Sequence, residues 1–170
     1  PIMHLVPLLT DQGFSLEFAT SVLMVLMVFG AFGRIFGGIL GDRIGALPGY
    51  ILMSLGQTIF VIWFPDLISP TTIYVMAALF GFTYSGVMSS ILVCTRMMVP
   101  ANYGARAMSL TSFFGWIGMG LGGFLGGYFF DIYGNYNWAF TFAGLSGVIN
   151  LIILSFFFLY IRRAERLVLN

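Results

Sequence analysis

Six apolar stretches separated by short polar breaks make up this chain. The first, residues 1–10, is short and gives way at Thr10-Asp11-Gln12-Gly13-Phe14-Ser15, a polar turn that leaves Ser15 placed to cap a following helix. Five longer stretches follow at about 17–40, 48–65, 72–97, 106–130 and 138–161. Each is close to the roughly 20 residues that a helix needs to cross hydrocarbon. The breaks between them hold turn formers: Gly45 to Pro48, Pro65-Asp66 through Pro70, Pro100 to Gly104, and Asp131 through Asn137. The pattern predicts an all-α membrane domain with one partial span and five full ones, covering residues 1–170.

Composition strengthens that reading. Hydrophobic residues form 59% of the chain and charged residues 8%, against about 25% charged in a soluble domain. The lipid bilayer is therefore the expected surrounding. The absence of lysine and a net charge of +1 argue against a nucleic-acid partner. The single cysteine, Cys94, has no partner for an internal disulfide and reads as a small buried hydrophobe. No metal-ligand cluster, nucleophile triad or phosphate loop is visible, so no metal, cofactor or catalytic residue is expected. A formal Gly-x-Gly-x-x-Gly begins at Gly118, but a nucleotide loop cannot form inside a membrane span. The chain opens at Pro1, already in an apolar segment and without the basic start of a signal peptide. It is expected to be the carboxy-terminal part of a longer protein.

The charges orient the spans. With alternating topology, Arg34, Arg43, Arg96, Arg106, Arg162, Arg163 and Arg166 all fall on one side, with Asp42 and Glu165. Asp11, Glu17, Asp66 and Asp131 fall on the other, where Trp63 and Trp138 also lie as interface anchors. The positive-inside rule makes the arginine side, and with it the carboxy-terminus, cytoplasmic. The expected location is the plasma (inner) membrane.

Residues 29–45 organise the rest. Gly33, Gly37 and Gly41 recur every four residues, leaving one helix face bare for a close neighbour. Arg34 interrupts the apolar run, and an ionisable group inside a span is a functional hypothesis by default. Gly38 through Gly45 then read as a polar hairpin closing the span. A shift of 85 residues superposes Phe29, Gly30, Gly33, Gly37, Gly38, Leu40 and Gly41 on Phe114, Gly115, Gly118, Gly122, Gly123, Leu125 and Gly126. The two copies run in opposite directions across the membrane. Two three-span units of inverted topology are a construction used by many secondary transporters. The glycine rows of both copies, Gly33-Gly37-Gly41 and Gly118-Gly122-Gly126, are expected to be packing surfaces.

Gly38-Ile39-Leu40-Gly41-Asp42-Arg43-Ile44-Gly45 resembles the Gly-x-Leu-x-Asp-Arg-x-Gly signature of the major facilitator superfamily. Ala46-Leu47-Pro48 stands where that signature usually turns basic. Gly126 through Phe140 is similar to the end of the eleventh span of monocarboxylate transporters. Arg34, four residues before Gly38, matches a substrate-binding arginine of that group and of the oxalate/formate antiporters. The resemblance implies the carboxy-terminal six-helix half of a twelve-helix transporter, its first helix truncated. It also implies alternating access by symport or antiport, a missing amino-terminal half as partner, and a gating role for Gly38, Gly41, Asp42, Arg43 and Gly45 together with Arg106. It is incomplete: Gly30 occupies the position of the aspartate that monocarboxylate transporters use in proton coupling, and the span after Met108 lacks the lysine of the oxalate carriers.

Arg34 presents five donors in a planar fork that suits a carboxylate. Alternatively it snorkels to the interface or pairs with the missing half. Tyr84 and Trp116 lie in the middle of spans and are further substrate-contact candidates, with Ser85, Ser89 and Ser90 lending the third full span a polar aspect that helix packing also accounts for. His4 is a candidate proton relay or a hydrogen-bonded structural histidine. The expected function is secondary transport of a small organic anion, a mono- or dicarboxylate. The rivals are a carrier of a neutral or amphiphilic compound, and a non-transporting membrane sensor or assembly protein.

Overall fold

The computed structural model describes residues 2–169, with side chains through Arg163. Pro1 and the side chains of Glu165 and Arg166, used above in reading the chain's start and its charges, lie outside the described residues. A short 3-10 turn, Ile2–His4, leads into α1 (Leu5–Asp11). Five long helices follow: α2 (Leu16–Ile44), α3 (Ala46–Trp63), α4 (Pro70–Met98), α5 (Gly104–Tyr133) and α6 (Asn137–Leu169). All five are long and apolar enough to cross a membrane. The domain is all-α.

The helix boundaries follow from local chemistry. Ser15 caps α2, its hydroxyl accepting from the Phe18 N–H at 3.2 Å. Gly134 ends α5 in the left-handed conformation, φ +67°, which glycine adopts without a Cβ penalty. One expectation is corrected at the other end of α2. The stretch from Gly38 to Ile44 is helical, not a hairpin, and Gly45 alone breaks the chain at φ +96°. The tightness of that break comes from a single residue able to take positive φ, so α2 and α3 follow almost without a loop.

The tightest packing joins α2 to α4. Gly30, Gly33 and Gly37 are buried there. A Cβ on Gly33 would collide with the Phe82 backbone, and one on Gly81 with the Leu26 backbone. A Cβ on Gly37 would come within 2.8 Å of the Gly86 carbonyl oxygen. Ser85 fills the space above Gly30, and the Ser90 hydroxyl reaches the Gly37 carbonyl at 3.5 Å. α3 packs behind this pair and carries α6 on its far side, while α5 rests on α4 and α6.

Two apolar cores form at different depths. At the acidic end Leu5, Leu9, Val22, Leu26, Val61, Phe64, Phe80 and Phe140 pack together. At the arginine end the core is Ala46, Leu47, Tyr50, Met53, Val87, Cys94 and Leu154. Cys94 is a buried free cysteine within it.

The second glycine row departs from expectation. Gly118 and Gly122 on α5 have nothing within 4 Å of an added Cβ, so among the described residues they are not a packing surface. The cause is placement: this part of α5 faces a cavity, whereas the matching face of α2 meets α4.

Because backbone would have to move to admit one methyl group, Gly33→Ala is expected to destabilise the full-length protein by about 1–3 kcal/mol. Gly38→Ala, where an added Cβ meets nothing within 4 Å, should be neutral or slightly stabilising. Thermal unfolding of both variants in detergent checks the contrast.

Candidate substrate site and bundle cavity

Arg34 sits beside the glycine seam, one residue past the closest contact of α2 with α4. Its side chain is exposed, and among the described residues it has no ion-pair or hydrogen-bond partner. Tyr84 stands on the facing helix α4, two residues past Phe82, whose backbone packs on Gly33. The seam causes this: with Gly33 pressed on Phe82, the side chain following Gly33 is held near α4 and cannot be buried between the helices. An isolated guanidinium at membrane depth costs at least ~2.5–3.5 kcal/mol on insertion scales. The group therefore requires water, an anion or a partner helix, and its fork can hold a carboxylate through two parallel hydrogen bonds.

Tyr84 links that side of the bundle to its interior. Its hydroxyl lies 3.8 Å from the Met119 sulfur on α5, and it also lines a cavity of about 570 Å³. Trp116 is 72% exposed and is not among the side chains lining the cavity. The structure thus places Arg34 and Tyr84 on facing helices of the glycine seam and leaves Trp116 on an outward face of α5.

His4 lies at the acidic end of the cavity. Its Nε2 is 2.9 Å from the Gly123 carbonyl, so that nitrogen donates in the neutral ring. The ring fills the space above Gly126 and lies 5.2 Å from the Tyr136 ring. Tyr136 stacks in turn on Phe130 at 4.6 Å. Burial, with Asp11 and Asp131 nearby, pushes the Tyr136 hydroxyl above its usual range and keeps it neutral.

The signature residues fall at the arginine end. Gly38 is half-buried and Gly41 is buried against α3 near Ala46 and Gly49, while Asp42 and Arg43 are exposed in the last turn of α2. Arg106 is exposed in the first turn of α5, and among the described residues it forms no ion pair with Asp42. The side chain lying over the start of α5 is that of Arg96, about 3 Å from where a Gly104 Cβ would stand.

The polar side wall of the cavity was not foreseen. Ser54, Gln57 and Thr58 of α3 and Ser146 and Asn150 of α6 line it. Asn150 donates to the Ser54 hydroxyl at 3.5 Å, and among the described residues the buried Gln57 Oε1 has no partner. The available signal was the occurrence of Gln and Asn within otherwise apolar spans, where each needs a partner.

Residues 1–169 match a known family model, that of the Major Facilitator Superfamily. The chain belongs to that superfamily. It is thus an integral membrane protein of a transporter family and not of an enzyme family. It is 33% identical over 170 residues to monocarboxylate transporter 13 of Rattus norvegicus, with 93% of this chain and 38% of the rat protein covered. The Bos taurus protein of the same name is 31% identical, with 94% and 39% covered. Riboflavin transporter MCH5 of Saccharomyces cerevisiae is 36% identical over 87 residues, 50% of this chain and 17% of that protein. The chain therefore spans well under half the length of these relatives. No solved structure matches it.

The His4 bond separates two substitutions. Glutamine can replace the Nε2–H donor, whereas alanine leaves the Gly123 carbonyl without it and opens space beside Gly126. His4→Ala should lower the stability of the full-length protein by about 1 kcal/mol or more, and His4→Gln by less. Chemical unfolding followed by tryptophan fluorescence distinguishes the two.

Proposed function

We propose that the chain is the carboxy-terminal half of a secondary transporter that carries a small organic anion, a mono- or dicarboxylate, by alternating access. The observation that carries this reading is the exposed Arg34 at membrane depth, without an ion-pair or hydrogen-bond partner among the described residues, with Tyr84 on the facing helix α4. A carboxylate would take both arms of the guanidinium, and the Tyr84 hydroxyl would orient the remainder of the ligand. Trp116, on an outward face of α5, would close the path from the side of the amino-terminal half. That half would cover the exposed faces of α2 and α5. The monocarboxylate name of two relatives supports the substrate class.

In this reading the arginine end is cytoplasmic, in the plasma membrane. Asp42 and Arg43, at the end of a helix held rigidly to α4, would form and break contacts with the start of α5 at Arg106 as the halves rock. Gly38 and Gly41 keep that end of α2 slim, and Gly45 makes the sharp turn. His4 would serve as proton relay only if its Gly123 bond opens during the cycle. A second reading, a carrier of a neutral or amphiphilic compound, is favoured by the riboflavin transporter's match to half the chain; there Arg34 would be structural.

Uptake of labelled carboxylates by proteoliposomes holding the full-length protein tests both. Loss of a bidentate charge-assisted pair of ~1.5–3 kcal/mol corresponds to about a 10- to 150-fold fall in apparent affinity for Arg34→Gln. Arg34→Lys, which keeps the charge but not the fork, should lie between. Uptake unaltered by Arg34→Gln removes this residue from the site, and absence of any carboxylate uptake favours the second reading.

A further inference from the structure

The helical neighbours of Arg34 carry no side chain that could hold a counter-charge. Positions three and four residues away on a helix stand beside a side chain. For Arg34 these are Gly30, Ala31, Gly37 and Gly38. The fold closes two of them to any side chain. A Cβ on Gly37 would meet the Gly86 backbone, and one on Gly30 would come within 2.6 Å of the Ser85 Oγ. The strip of α4 that covers this seam presents Gly81, Phe82, Ser85, Gly86 and Ser90, none of them ionisable.

The remaining titratable groups do not take that role. The Tyr84 hydroxyl can donate or accept a hydrogen bond but brings no charge at neutral pH. His4, bonded to the Gly123 carbonyl, could only become a second cation. The carboxylates stand at helix ends. Asp42 is eight residues along α2 from Arg34, ~12 Å by helical rise, and Glu17 is seventeen residues away, ~25 Å. Asp11 and Asp131 lie at the acidic ends of α1 and α5, and Asp66 in the turn after α3. Among the described residues, therefore, no group beside Arg34 can become a counter-charge by losing a proton.

A carrier built on Arg34 must also return. In alternating access the site passes through a state closed to both sides. A guanidinium shut away from water without a counter-charge is costly there, whereas one paired with a bound carboxylate is compensated. The loaded form crosses and the empty form is held back. We propose that the protein is an obligate exchanger, moving one carboxylate across only against another, with no proton taking part at Arg34. The proposal rests on the anion-carrier reading above and adds its mode of coupling. Gly30 and Ser85 determine it: the hydroxyl on α4 occupies the place on α2 from which an acidic side chain would reach the guanidinium.

Full-length protein in proteoliposomes preloaded with labelled lactate or labelled succinate, a mono- and a dicarboxylate, tests it. Efflux into buffer holding the same unlabelled anion is expected to be at least about tenfold faster than efflux into anion-free buffer. External acidification should leave uptake into empty vesicles unchanged. Equal efflux into the two buffers, or uptake into empty vesicles driven by a pH gradient, overturns the proposal and leaves the carrier reading intact. Transport of neither anion in any mode overturns the carrier reading, and this proposal with it. The double variant Gly30→Asp/Ser85→Gly clears the space above residue 30 and gives Arg34 an acidic neighbour. Its efflux ratio is expected to collapse toward unity. A folded double variant that still requires the unlabelled anion overturns the proposal; if that variant does not fold, the two efflux rates of the parent decide.

Discussion

The contact of backbone on backbone between α2 and α4 is the constraint on which the arrangement depends. In hydrocarbon no hydrophobic force draws two helices together, so association relies on close dispersion contact and polar bonds. Glycine at Gly33, Gly37 and Gly81 removes the side chains that would hold the axes apart, and Ser90 adds a hydroxyl to the Gly37 carbonyl. Once these atoms are in contact, rotation of either helix about its axis is blocked, because any turn brings a Cβ-bearing residue into the seam. That locked rotation fixes Arg34 beside α4, turns Tyr84 toward α5, and sets Asp42 and Arg43 facing outward at the helix end.

A rigid seam and an exposed cation serve the same purpose. A guanidinium on a helix free to rotate would relax toward the interface and lose any fixed geometry for a planar anion. Here the neighbouring glycine is immobilised, so the donor fork is presented from a defined position while its tip stays accessible. With no partner among the described residues, that charge is a standing electrostatic cost, which an anion bound there, as proposed, would offset. Preorganisation of this kind raises affinity by reducing what must be ordered on binding.

Much of this was legible in the chain, for identifiable reasons. The spans could be read because hydrocarbon thickness imposes a length and excludes charge, and the α2 ridge because glycine at four-residue spacing has a single geometric meaning. The end of α2 was misread as a hairpin because glycine and charged residues signal turns in water, whereas Gly38, Gly41, Asp42 and Arg43 continue a helix whose backbone must stay bonded near the bilayer. The α5 row was indistinguishable from the α2 row in sequence. What differs is the neighbour, Gly81 and Gly86 in one case and open space in the other, and pattern does not encode neighbours. The cavity wall was missed for a related reason. Gln57, Ser54 and Asn150 come from two helices, and their common facing is set by the packing of α3 on α6.

The contrast between the two glycine ridges bears on how such a domain moves. A ridge already filled, like that of α2, makes its pair of helices one body, since separating them would open a void lined by backbone. The outward faces of α2 and α5 carry large apolar side chains instead, Phe29, Phe32, Phe113 and Phe124 among them. Contacts made by such flexible side chains can be exchanged for others at small cost, whereas backbone contacts cannot. Rocking would therefore occur at the aromatic faces and spare the glycine seam, carrying Arg34 and its helix end as one piece. The residues that give the domain its rigidity and those that would permit the proposed motion thus lie on opposite faces of the same helix, and Arg34 stands at the boundary between them.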